Sequence, residues 1–368
     1  MRGRPRPERS KTTITLGQLN GWLEIERLEA NSMPIPTPPA AVTVALVLIA
    51  CVPIVGNEVR AQPPARSQTK PRPRLSPLPR VVPAPRNNPT TPAKVALGKQ
   101  LFLDRRLSGN NKSSCGTCHD PKSAFADQRV RSAGSSGRQL TRNTPSVLNS
   151  GFFKLLLWDG RAKSLEEQAL LPIVSPTEMD QDLELLEAEL NAIPGYAKSF
   201  QEVFGSRVTR ANIARALAAY QRTLVSRPSP LDRFLGGDKT ALSRGAQRGL
   251  ELFRGKAGCI RCHHGPLLSD GKFYRLGVSR RDKGRFDVTG KADDRFRFRT
   301  PSLREIFRTG PYMHDGSLKT LEDVVTFYYR GVPTSTPDGL ALDVEPLLDS
   351  SFSEIPDLVA FLKALSSP

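Results

Sequence analysis

Cys115-Gly116-Thr117-Cys118-His119 recurs further along the chain as Cys259-Ile260-Arg261-Cys262-His263, and this pair of pentapeptides governs the reading of everything else. In a Cys-x-x-Cys-His run the two thiols bond covalently to the vinyl groups of a porphyrin. The adjoining imidazole reaches its iron, giving a c-type haem. With this Cys and His content one such run is expected by chance on the order of 10⁻³ times, so two of them mark two attachment sites. The competing reading is zinc, but zinc pairs of Cys-x-x-Cys stand roughly 12–20 residues apart, not a domain apart.

The 368 residues allow two domains with cores of their own. The five Cys are used up by two thioether pairs and Cys51, which leaves no disulfide framework. The formal net charge is +18, but the first 93 residues hold 13 Lys/Arg against 5 acidic residues, and the remaining positive charge is scattered. Without a compact basic stripe carrying interleaved aromatics, nucleic acid is set aside as a partner. A mildly basic face suits docking of an acidic redox protein.

Bacterial c-type haem is attached outside the cytoplasm, so an export signal should precede the first motif. Residues 1–61 fit that role. Residues 1–32 are polar and basic, Met33 is an alternative start, and Ala40 to Val55 is an apolar run of signal-core length, too short for a membrane span. It contains Leu48-Ile49-Ala50-Cys51, which resembles a lipobox, and lipidation of Cys51 would attach the protein to a membrane. An ordinary signal, cleaved elsewhere or retained, is the alternative. Residues 62–91 are dense in Pro and are expected to be a disordered, semi-rigid linker.

Two haem domains should follow, 92–240 and 241–368, both mainly α-helical. Thr91-Pro92 reads as an N-cap followed by Pro at the first helical position, and Leu97, Leu101 and Phe102 supply the apolar face of the helix before the first motif. Ser243 to Phe253 repeats this before the second. Asp182–Ala192, Gly195–Phe204 and Thr209–Val225 are amphipathic helices, and strand patterns are few.

The two haem segments read as copies. Arg142-Asn143-Thr144-Pro145-Ser146 echoes Arg299-Thr300-Pro301-Ser302, Asp159-Gly160 echoes Asp315-Gly316, and Ser164-Leu165-Glu166-Glu167 echoes Thr320-Leu321-Glu322-Asp323. Both last segments have capping-box chemistry. In the second copy Leu321, Val324, Val325 and Tyr328 share a helix face, so Tyr328 is placed to give a haem an axial oxygen. A core tyrosine is the alternative. In the first copy the matching face is Leu165, Gln168, Ala169 and Pro172, and proline cannot bind iron. Of the four histidines, His119 and His263 lie in the motifs, and none lies between them to cap the first iron; His264 and His314 have no assigned role. One iron is expected open and one closed.

From about Thr91 to its end the sequence resembles the bacterial di-haem cytochrome c peroxidase / MauG family. The resemblance rests on both Cys-x-x-Cys-His runs, Trp158-Asp159-Gly160-Arg161, Ser164-Leu165-Glu166-Glu167-Gln168, Pro176-Thr177-Glu178-Met179 and Pro311-Tyr312-Met313-His314-Asp315-Gly316. It implies two cytochrome c-like domains, a first haem that meets hydrogen peroxide and a second that relays electrons from a small cytochrome or cupredoxin. Trp158 is implied to assist transfer between the haems, and Gln168 and Glu178 to flank the bound peroxide, with Glu178 as acid and base. Read without the resemblance, Glu178 is a solvated surface acid and Trp158 a packing residue. A family calcium ion would fall to Asn143 and the carbonyls of Thr309 and Pro311.

The departures from the family are informative. The distal His that many members carry on the first haem is missing, which implies an iron that is five-coordinate without reductive activation. Tyr328 stands where a Met ligand is usual, the axial pattern of the MauG branch. The surface tryptophan of that branch is replaced by Lys256, Ala257 and Gly258. The leading expectation is therefore peroxide reduction. Alternatives are a MauG-like oxidase that modifies residues of a partner protein, and a non-enzymatic electron carrier.

Overall fold

The computed structural model describes residues 73–278, 281–330, 336, 338–344 and 352–368. The expected export segment with Cys51, and linker residues 62–72, lie outside them. The described residues fall in one compact unit. In chain order the helices are α1 (Pro92–Leu103), α2 (Cys115–Cys118), α3 (Leu165–Val174), α4 (Leu183–Asn191), α5 (Pro194–Phe204), α6 (Arg210–Thr223), α7 (Pro230–Leu235), α8 (Arg244–Arg254), α9 (Phe286–Thr289), α10 (Leu321–Arg330) and α11 (Ile355–Lys363). The one sheet among the described residues pairs β1 (Phe273–Arg275) antiparallel with β2 (Arg297–Arg299), Tyr274 opposite Phe298. No helix of the described residues is long and apolar enough to cross a membrane.

Local chemistry sets the helix starts. Thr91, Ser164, Asp182, Thr209 and Ser243 each accept an N–H of the following turn, satisfying donors that the helix itself leaves orphaned. Of the two expected capping boxes, one forms. Thr320 and Asp323 bond reciprocally, at 2.9 and 3.0 Å. Ser164 accepts from Glu167 N, but the Glu167 carboxylate takes the N–H of Lys163 instead.

Two helix crossings organise two apolar clusters. In the first, α1 lies on α6 around Leu101, Phe102, Ile173, Phe200 and Leu217. In the second, α8 lies on α11 around Leu250, Phe253, Leu358 and Phe361. A glycine sits at each crossing. A Cβ on Gly98 would stand 2.0 Å from Ala216 O, and one on Gly249 would stand 2.0 Å from Asp357 O. Four residues beyond each glycine a phenylalanine packs edge-on against the partner helix, Phe102 on Tyr220 at 5.3 Å and Phe253 on Phe361 at 5.0 Å. Helix α11 is absent from the sequence reading, although Ile355, Leu358, Val359 and Leu362 have its spacing.

The Pro-rich stretch is seated, not free, from Arg74 onward, which corrects the expected linker for residues 73–91. Gly265 N donates to Arg74 O at 2.7 Å, Leu75 joins the second cluster, and Arg304 donates to Ser76 O at 3.2 Å. Val82 is buried over Gly151, and Asn88 donates to Glu166 and to Arg215 O, at 2.7 and 3.0 Å. Extended Pro-rich backbone makes no internal hydrogen bonds, so its carbonyls are available to neighbours. The strap thus ties the second cluster to the first.

Replacing Gly249 by Ala is expected to cost about 1–3 kcal/mol in urea unfolding, because helix backbone cannot yield as a side chain would. Gly195→Ala in α5, where nothing stands within 4 Å, is the control and should lose nothing.

Candidate haem site

Each pentapeptide presents its imidazole in the same way. Cys115–Cys118 form one helical turn, and Cys259–Arg261 a 3₁₀ turn entered through Gly258 at φ +63°. His119 Nδ1 meets Phe125 O at 3.1 Å and His263 Nδ1 meets Leu268 O at 2.9 Å. A carbonyl accepts, so Nδ1 carries the proton and Nε2 keeps the lone pair that a metal needs. Burial pushes both imidazoles below the ordinary histidine range, which keeps them neutral. The four thiols are free, and burial pushes Cys115 and Cys259 up to about 12. No cluster of three or more His, Cys, Asp or Glu side chains with metal-holding geometry exists among the described residues.

Both motifs open on one cavity of about 1210 Å³. That exceeds the roughly 300–1,000 Å³ of ordinary small-molecule pockets. Its walls suit large planar groups held by thioether bonds and imidazole, so the residues present fit two c-type haems. Gln168, Ala169 and Pro172 of α3 and Glu178 line it, as do Leu321, Val324, Val325 and Tyr328 of α10. The α10 face is as expected. On α3, Leu165 turns instead into a small apolar cluster with Leu156, Ala162 and Ala218.

Glu178 is half-buried in this wall, not a solvated acid. Burial pushes its carboxyl above the usual range, with Arg161 opposing. Its loop is gripped by backbone: Ser135 N donates to Glu178 O at 2.6 Å, and a Cβ on Gly134 would stand 1.9 Å from Thr177 O. Tyr328 is half-buried as well, and desolvation, with the Cys259 and Cys262 thiols beside it, raises its phenol above the ordinary value.

Between the two motifs the halves exchange matching bonds. Arg299 N donates to Trp158 O at 2.8 Å, and Asn143 N donates to His314 O at 2.8 Å. The turns so held also match, with Leu157 at φ +69° and Gly160 at +70°, Met313 at +69° and Gly316 at +70°. His314 therefore occupies in its turn the place Trp158 has in the other, and the two rings meet edge-on at 6.4 Å. Trp158 Nε1 donates to Asn143 O at 2.9 Å. His314 is 4 % exposed, stacks on Phe298 at 3.6 Å, and its Nε2 lacks a partner; burial drives its pKa down to about 4. Arg142 bridges Asp159 and Asp282 across the halves, at 2.5 and 2.6 Å. Sequence reasoning passed over Arg142, Phe298 and Arg299, although the Arg142 and Arg299 repeat was its signal.

Of the calcium candidates, Asn143 spends its amide donors on Arg129 O and Val130 O, at 2.9 and 3.3 Å, which leaves Oδ1 as the free acceptor. Thr309 and Pro311 line the same cavity. His264 Nδ1 meets Ile260 O at 3.1 Å. Lys256 pairs with Glu354 where a surface tryptophan would stand in the MauG branch.

Residues 92–240 match the family model described as di-haem cytochrome c peroxidase. The chain is 42% identical over 285 residues to the methylamine utilization protein MauG of Methylorubrum extorquens, covering 76% of this chain and 80% of that protein. It is 43% identical over 317 residues to cytochrome-c peroxidase IdrP1 of Denitromonas iodatirespirans, covering 76% and 83%. Among solved structures it is similar to a MauG-like protein associated with microbial copper homeostasis, with a TM-score of 0.69, 33% identity and coverage of 82% and 96%.

Replacing Cys115 and Cys118 together by Ala should lower the haem content, read as pyridine haemochrome per chain, from two to one. The same change at Cys259 and Cys262 should do likewise.

Proposed function

Because the chain belongs to the di-haem cytochrome c peroxidase family and carries two covalently bound c-type haems, we propose that it is an exported peroxidase that reduces hydrogen peroxide to two waters. The observation that carries this reading is a half-buried carboxyl, Glu178, on the same cavity wall as Gln168 and Pro172. When bound, the first haem supplies an open iron for peroxide and the second supplies electrons to it. Glu178 takes a proton from the incoming peroxide oxygen and returns it to the departing one, so that water leaves in place of hydroxide. The Gln168 amide holds the peroxide in line by hydrogen bonding. Pro172 offers no side-chain ligand. His119 and His263 would hold the two irons through Nε2, and the phenolic oxygen of Tyr328 would close the second site. Two electrons, delivered singly by a small cytochrome or cupredoxin, and two protons complete the reduction.

The matched turns, the matched helix crossings and the matched His–carbonyl bonds support descent of the two haem domains, 92–240 and 241–368, from a duplicated unit. Trp158, packed against both halves, suits the electron path. Calcium at Asn143 Oδ1 with the Thr309 and Pro311 carbonyls suits an oxygen-loving cation. The apolar run of residues 40–55 supports export, with Cys51 as the candidate lipid anchor. A MauG-like reading, in which the haems withdraw electrons from residues of a partner protein, is favoured by Tyr328 and disfavoured by the Lys256–Glu354 pair.

Two outcomes test the proposal. Steady-state oxidation of a reduced small cytochrome by peroxide should fall about 10²–10⁴-fold in kcat/KM in Glu178→Gln with both haems attached. In the wild type the acid limb of kcat/KM should lie above the ordinary carboxylate range and vanish in the variant. Stability gives an independent sign: Glu178 titrates higher folded than unfolded, so wild-type stability falls as pH rises through the folded value. Glu178→Gln should therefore be relatively more stable above that value. Tyr328→Met should raise the midpoint potential of the second haem in spectroelectrochemical titration, since a thioether favours reduced iron more than a phenolate does.

A further inference from the structure

Arg299 is a cation without an anion. Its backbone N–H is spent on Trp158 O, its Nε donates to Leu157 O at 3.2 Å, its Nη1 makes a long bond to Thr300 O at 3.3 Å, and its guanidinium lies 3.9 Å over the Phe153 ring. No carboxylate pairs with it among the described residues, whereas three other arginines of this wall are neutralised, Arg142 and Arg161 by Asp159 and Arg304 by Asp232. Burial alone pulls its pKa down to about 10. A desolvated guanidinium left unpaired is costly, so a fold that keeps one has something to set against it. Arg299 lines the haem cavity, and Nη2 has no partner among the described residues. His314 Nε2 in the same cavity is buried and has no partner among the described residues. The register that sets Asn143 on His314 sets Arg299 on Trp158, so the guanidinium occupies the place related to that of the calcium candidate.

We propose that Arg299 receives a haem propionate, supplying through a side chain the positive charge that faces a porphyrin carboxylate, and at the same time fixes the Leu157–Trp158 turn. The planar fork matches a carboxylate's two oxygens. A cation beside the propionate favours the reduced haem, because reduction adds negative charge at the iron. The inference needs two haems in the cavity but not peroxide turnover.

The test is spectroelectrochemistry of the holoprotein as wild type, Arg299→Gln and Arg299→Lys. One of the two midpoints should move down in the Gln variant and largely recover in the Lys variant. The shift should be the same in chloride and in acetate. Unmoved midpoints with two haems attached would overturn the proposal. So would a shift that depends on acetate concentration, which would make the partner a solution anion. Should Arg299→Gln not mature, Arg299→Lys decides alone: its propionate-bending bands in resonance Raman should shift, and unchanged bands with unchanged midpoints would refute the assignment. Absence of peroxide turnover in the wild type with the potential shift intact would count against the peroxidase reading only.

Discussion

Two backbone hydrogen bonds, Arg299 N to Trp158 O and Asn143 N to His314 O, hold the halves of this protein in register. Each half lends an extended segment to fasten a left-handed turn of the other, and each turn puts an aromatic ring at the centre. The glycines of those turns show how close the approach is. A Cβ on Gly316 would stand 2.4 Å from Val130 O, and one on Gly160 would stand 2.4 Å from the Phe273 ring. The seam between the halves is therefore fastened by backbone as well as by side chains. The Arg142 bridge to Asp159 and Asp282 adds a desolvated ionic clasp to the same seam.

Within that frame the two sites differ by few atoms. Related helices, α3 and α10, present Pro172 to one side of the cavity and Tyr328 to the other. Under the proposed reading proline closes nothing and a phenol can close a site, so the two helices give one reactive and one relaying position. Glu178 adds the proton chemistry, and its gripped loop keeps the carboxyl where burial raises its pKa. A solvated glutamate would be ionised at neutral pH and poorly matched to returning a proton.

Much of this was legible in the sequence because the informative signals are local. The haem runs, the N-caps at Thr91, Thr209 and Ser243, and the i, i+3, i+4, i+7 face ending at Tyr328 depend on residues within two turns of one another. What escaped depends on pairing across the chain. The Pro-rich strap reads as a tether because composition reports that it cannot fold alone, not that Leu75 and Val82 find a core elsewhere. Arg142 and Arg299 each open a run that ends in Thr-Pro-Ser, yet Arg142 is neutralised twice and Arg299 by no carboxylate among the described residues, a difference made by Asp159 and Asp282. Glu178 reads as a surface acid because the Gly134–Ser135 turn that grips its loop is distant in sequence.

The account stands on an inequality between two irons, one with a free place above Pro172 and one closed by Tyr328. Electron paramagnetic resonance of the fully oxidised protein tests it most directly. It should show one high-spin and one low-spin ferric centre, with the low-spin signal lost in Tyr328→Phe. Two low-spin centres at rest, or a low-spin signal that survives the loss of the phenol, would contradict it.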